Sequence, residues 1–105
     1  MIDEVAIAKA VKLLLEAAPD AKVILFGSHA RGQGHPDSDL DFLVVEPTVQ
    51  ARREEMVRLR DVLRPLRIPV DVLVTSAQTF RAWADTPGTV YYEAAHEGRV
   101  FDAIP

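Results

Sequence analysis

Residues 38–45 read Ser38-Asp39-Leu40-Asp41-Phe42-Leu43-Val44-Val45, and the fold follows from how this stretch is read. A polar turn runs into an apolar, β-type segment, so residues 40–45 are expected to form a buried strand. Aspartate is a poor strand former, and two of them at the start of such a strand need a reason. At i and i+2 their side chains share one face, with Leu40 opposite and Cα atoms about 6.5–7 Å apart. That spacing lets both carboxylates reach one divalent cation or two neighbouring ones. The plain alternative is a surface turn with solvated aspartates.

Upstream, Lys22–Phe26 is a short β-type run leading into Gly27-Ser28-His29-Ala30-Arg31-Gly32. A glycine at a strand exit lets the backbone turn tightly and approach a ligand. If Ser28 opens a helical turn, the amides there favour an anion and the hydroxyl adds a donor. The loop has neither the GxxxxGK[ST] nor the GxGxxG pattern, and a Gly-Ser turn after a strand is often only structural. Downstream, Val70-Asp71-Val72-Leu73-Val74 places a third aspartate inside an apolar strand. Burying it without a counter-charge is costly, unless it lies on the wet face. Three carboxylates at one edge of neighbouring strands repel, so at least one pKa should be raised without a cation. These three aspartates account for most of the net charge of −4.

The other segments frame this edge. Residues 4–18 are expected as a helix capped by Asp3, with Val5, Ala8, Val11, Leu14 and Leu15 inward. Residues 27–38 read as a loop with at most two helical turns. Residues 49–64 read as a second helix with Met56, Leu59, Leu63 and Leu66 inward. Ser76 should cap a third helix running to about Asp85, on which Phe80 and Trp83 share a packed face. Thr86-Pro87-Gly88 is a turn, 89–97 a fourth helix with Gly98 at its C′ position, and 100–101 an edge strand. The order αββαβαα with a C-terminal strand is not a regular βαβ alternation. It predicts an α/β (α+β) fold, a small mixed sheet flanked by helices, in a single domain spanning 1–105.

At 105 residues, 49% hydrophobic and 27% charged, the chain has the composition of a folded domain rather than a disordered one. It has no cysteine, which excludes disulfides, thiol nucleophiles and Cys-based metal sites. The acidic balance argues against holding nucleic acid by charge alone. No apolar run approaches the roughly 20 residues of a membrane span, and no targeting segment is visible. The expected compartment is the cytoplasm.

Together, Gly27-Ser28, Arg31-Gly32, Ser38-Asp39-x-Asp41 and the strand carrying Asp71 resemble the polymerase-β-like nucleotidyltransferase superfamily. The resemblance is closest to its minimal nucleotidyltransferases and covers residues 23–45 and 70–74, with a similar tail at 87–100. It implies a nucleotidyltransferase fold and Mg²⁺-dependent transfer of a nucleoside monophosphate, from ATP or another NTP, to a hydroxyl. It implies that Asp39, Asp41 and Asp71 hold two Mg²⁺ ions and that Asp71 helps deprotonate the acceptor. Gly27, Ser28 and Ser38 would bind nucleotide phosphates. Arg31 would either fork onto phosphate or pack the loop through a salt bridge. It further implies an antitoxin that AMPylates a tyrosine of a HEPN-domain toxin, with a homo- or hetero-oligomer possible. The alternatives are an antitoxin acting by binding alone and an aminoglycoside-type enzyme.

Other features have plainer readings. Arg52, Arg53, Arg58, Arg60, Arg64 and Arg67 alternate with acids, and Glu54–Arg58 is an i,i+4 pair, so they read as a solvated helix face. His29, His35 and His96 lack metal-ligand spacing, although His29 and His35 flank the proposed phosphate loop. Tyr91, Tyr92 and Trp83 read as core or interface anchors.

Overall fold

The computed structural model describes residues 3–35 and 38–102, so Pro36 and Asp37 of the expected loop lie outside the described residues. The order is α1 (Glu4–Ala17), β1 (Lys22–Phe26), β2 (Leu40–Glu46), α2 (Arg52–Leu63), β3 (Val70–Ser76), α3 (Ala77–Trp83), α4 (Val90–Glu97) and β4 (Arg99–Asp102). A 3₁₀ turn, Arg64–Leu66, follows α2. The four strands form one mixed sheet in the order β3-β2-β1-β4. β1 pairs antiparallel with β2 and β4, while β2 and β3 are parallel and joined through α2. This is the expected mixed α/β architecture.

Alternation along the strands divides the core in two. Val23, Leu25, Leu40, Phe42, Val44, Val72 and Val74 face one way and bury Ile7, Ala10, Val11 and Leu14 of α1 with Leu59 and Leu63 of α2. Ile24, Phe26, Leu43 and Val45 face the other way, onto Ala94 of α4 and the partly buried Phe80 of α3. Asp41 alternates with Leu40 and Phe42, so it belongs to the α3/α4 face.

The helix caps are local. The Asp3 carboxylate accepts from the Ala6 amide at 3.0 Å, the Ser76 hydroxyl from Thr79 at 3.1 Å and the Thr89 hydroxyl from Tyr92 at 3.1 Å. Other expectations change. In α1, Val5 is 61% exposed and Ala8 is exposed, while Ile7 and Ala10 are buried. Apolar residues occur around most of this helix, so periodicity alone leaves its rotation open. α2 starts at Arg52 rather than 49, because Ala51, at φ −127° and ψ 80°, is not helical and offers no side-chain cap. α3 stops at Trp83, short of Asp85, and Trp83 is 48% exposed while Phe80 alone packs inward. Gly98 ends α4 with φ −81°, so no left-handed turn requires it. Its small size does the work: a Cβ there would collide with the Ala94 carbonyl and the Ile24 side chain. Among the described residues no helix is long and apolar enough to cross a membrane.

Candidate active site

The register brings the predicted carboxylates to one end of the sheet. Asp41 stands opposite Phe26 of β1 and directly beside Asp71 of β3. Asp39 lies exposed just before β2. Gly27 leaves β1 with φ +79°, a conformation favoured by glycine, and a Cβ at this position would strike the Asp41 carboxylate. The glycine thus brings the loop backbone against the acidic edge.

The loop then closes on itself. The Gly27 carbonyl accepts from the amides of Ala30 at 3.1 Å and Arg31 at 3.3 Å, and the Ser28 carbonyl accepts from Gln33 at 2.9 Å. Such a single turn leaves its opening amides unpaired, which suits an anion. His29 Nε2 lies 3.1 Å from the Ser38 carbonyl and donates to it as the Nε2–H tautomer. The Ser38 hydroxyl accepts from the His35 amide at 3.3 Å. Both ends of the loop are therefore pinned beside Asp39 and Asp41.

In this structure Arg31 makes the salt bridge that was one of its two expected roles. Its guanidinium donates to Glu93 at 3.0 Å and to Glu97 at 3.4 Å, both on α4. Neither glutamate is signalled in the sequence, because the contacts span 62 and 66 residues. Arg60 is a second unforeseen neighbour, with Nη2 3.7 Å from Asp71 Oδ1 across the β3 edge.

The Asp41 pKa is raised, first by burial, then by Asp71, Asp39 and Glu93, with His29 opposing. The repulsion expected of clustered carboxylates is thus present at Asp41. Among the described residues no three His, Asp or Glu side chains converge closely enough to hold an ion unaided. The donor set still fits Mg²⁺, which takes one or two carboxylates and completes its shell with water and substrate phosphate.

Away from this edge, a cavity of about 410 Å³ is lined by Glu46, Glu54, Glu55 and Arg58, with residues of the β2–α2 connection. Arg58 forks onto Glu55 at 2.7 and 2.8 Å, replacing the expected pair with Glu54. An apolar cavity of about 470 Å³ lies between the β1/β2 ends and the helices α3 and α4.

Solved structures with this fold include a toxin–antitoxin with AMP-PNP, at 24% identity and TM-score 0.63, covering 94% of this chain and 72% of that one. Two mutants of the toxin–antitoxin MntA-HpeT follow. One has 19% identity and TM-score 0.58, covering 89% of this chain and 69% of that one. The other has 21% identity and TM-score 0.59, covering 96% and 72%. No curated protein matches the sequence significantly. The family described as "Nucleotidyltransferase domain" matches residues 7–94, a span holding the loop, both strands of the acidic edge and α2. The chain belongs to that family and is a nucleotidyltransferase.

Proposed function

We propose that residues 1–105 act as one minimal domain that transfers AMP from ATP, with Mg²⁺, to a hydroxyl on a protein partner, and so serve as an antitoxin. The observation that carries this is the contact between Gly27 and Asp41 beside Asp71, which joins a phosphate-type loop to paired carboxylates. The relatives in fold are toxin–antitoxin structures, one containing AMP-PNP, which supports a nucleotide and a toxin partner. The HEPN class of that partner and its tyrosine acceptor follow from the minimal-nucleotidyltransferase resemblance.

In this reading Gly27, Ser28 and Ser38 face the triphosphate, and Asp39, Asp41 and Asp71 hold Mg²⁺. The metal, when bound, supplies charge neutralisation for an in-line phosphoryl displacement. Asp71, half exposed at the β3 edge, accepts the proton of the incoming hydroxyl. The acceptor oxygen bonds to the α-phosphorus, and the bond from that phosphorus to pyrophosphate breaks. Positioning and electrostatics provide most of the acceleration.

The test is transfer from ATP labelled at the α-phosphate, with Mg²⁺ and an extract of the source cells, run beside Asp39→Asn and γ-labelled ATP. A protein band seen only with wild type and the α-label establishes the reaction and gives the acceptor by mass. A band from the γ-label shows kinase-like chemistry instead. No band, with the protein folded and a partner recovered, indicates action by binding alone.

A further inference from the structure

We infer that Glu93 and Glu97 of α4 are positioning residues for the nucleotide loop, and that Arg31 braces this loop rather than binding phosphate. The inference deepens the function proposed above and rests on reading residues 27–35 as the nucleotide loop. The loop carries Gly27, Gly32 and Gly34, so its backbone has much entropy to lose on ordering. Hydrogen bonds within the turn fix its local shape. Its side-chain ties to more distant chain include His29 to the Ser38 carbonyl and Arg31 to α4. Of these, only the Arg31 tie reaches a separate secondary-structure element.

α4 is a firm anchor. Ala94 is fully buried against the sheet, and Gly98 lets the helix end seat directly on Ile24 of β1, the strand that feeds the loop. Glu93 and Glu97 lie one turn apart, so both reach one guanidinium from the same helix face. Arg31 is spanned by two acceptors, at 3.0 and 3.4 Å, which offset its charge before any phosphate arrives. Glu93 also adds to the negative potential at Asp41, so its position beside the site carries an electrostatic cost. A bracing role accounts for that cost.

A brace and a phosphate ligand held back by its carboxylates predict opposite signs. If Arg31 braces the loop, Glu93→Gln/Glu97→Gln loosens it, and the Kd for ATP with Mg²⁺ rises about fivefold by calorimetry, the scale of one exposed ion pair. If Arg31 is a phosphate ligand restrained by the glutamates, the same change frees it and ATP binds more tightly. An unchanged or lower Kd therefore overturns the inference. Because Glu93 and Glu97 are both partly exposed, the melting temperature should stay close to wild type. Single Glu97→Gln, at the more exposed position, provides a milder second variant with the same sign. Adding Glu93→Gln to Arg31→Gln should weaken ATP no further than Arg31→Gln alone; additive losses would overturn the brace.

Hydrogen exchange in the nucleotide-free protein separates this inference from the reading on which it rests. Amides of 28–33 should exchange faster in the double glutamate variant while those of β1 hold. Faster exchange with no ATP binding by wild type would keep the brace and remove the nucleotide reading. Unchanged exchange with ATP bound by wild type would remove the brace alone.

Discussion

Two pairs of crowded carboxylates sit at different places on this sheet and are treated differently. At the far end of β2, Glu46 faces Glu55 of α2. Burial, and then the hydrogen bond with Glu55, push its pKa up to about 7, while the Arg58 fork holds Glu55 down to about 2. One Glu46 oxygen is shut from solvent with no hydrogen-bond partner among the described residues. That pair is settled internally, by one proton and one arginine. At the loop end, Asp41 is crowded by burial, Asp71, Asp39 and Glu93. His29 opposes this at Asp41, and Arg60 lies 3.7 Å from Asp71, with both side chains of that pair about half exposed. A carboxylate pair completed by its own fold reads as structural, whereas one short of positive charge suits the cation of the proposed function.

The largest effect is expected from neutralising one member at the loop end. Asp41→Asn should lower transfer by at least about a thousandfold, since a metal contributes several kcal/mol to the transition state. In chelator the same variant should melt higher than wild type. The sign follows from the raised pKa of Asp41: the fold favours its neutral form, so stability is present at low pH and is lost as pH rises through the folded value. A permanently neutral side chain avoids that loss. With Mg²⁺ and ATP the order should reverse, because ligand at a hundredfold over Kd stabilises by about 2.7 kcal/mol and the variant binds it less well. A variant that melts lower in chelator would mean that the acidic edge is not under strain.

At the other pair the expected effect is smaller and depends on pH. The folded pKa of Glu46, about 7, lies above its usual 4.5, so its contribution is complete below about pH 4.5 and lost through pH 7. Glu55 is depressed, so its contribution is present above about pH 4.5 and fades only toward pH 2. Between pH 6 and 8 Glu46 is therefore the member that titrates. Wild type should lose a few degrees of melting temperature over that interval, about 3 °C. Glu46→Gln, which keeps a donor toward Glu55, should flatten most of this slope while leaving ATP binding unchanged. An equal slope in the variant would show that the pair does not share a proton.

The two ends also differ in how much the sequence disclosed. The loop end was legible because its chemistry is local: a glycine after β1, aspartates two residues apart, and a third inside an apolar strand. The mixed sheet was legible for the same reason, since alternating apolar segments and turn residues are short-range signals. What was not legible depends on docking between distant segments. The rotation of α1 is set by the sheet, which buries Ile7 and Ala10 and leaves Val5 outside. Arg58 chooses Glu55 over Glu54 because Glu55 is turned toward Glu46, a residue on another element. Gly98 looked like a helix-ending turn, yet its requirement is the closeness of Ala94 and Ile24. Glu93 and Arg60 reach the site only through the packing of α4 and α2, which no spacing along the chain reveals.

The mildest prediction compares the two arginines directly. Arg58 makes two short bonds to a mostly buried Glu55 side chain, whereas Arg60 makes one long contact to an open Asp71. Exposed single pairs contribute about 0–1 kcal/mol, so Arg60→Ala should change unfolding free energy by less than about 0.5 kcal/mol. Arg58→Ala should cost more, because it leaves two carboxylates facing each other without their cation. Denaturant midpoints at pH 8, where Glu46 has lost its proton, would show the difference most clearly. In an Mg²⁺ titration, Arg60→Ala should bind metal and ATP slightly more tightly, about twofold, because a competing cation beside Asp71 is gone. Equal destabilisation by the two substitutions would make Arg60 a structural partner like Arg58, and the acidic edge would then be completed by its own fold after all.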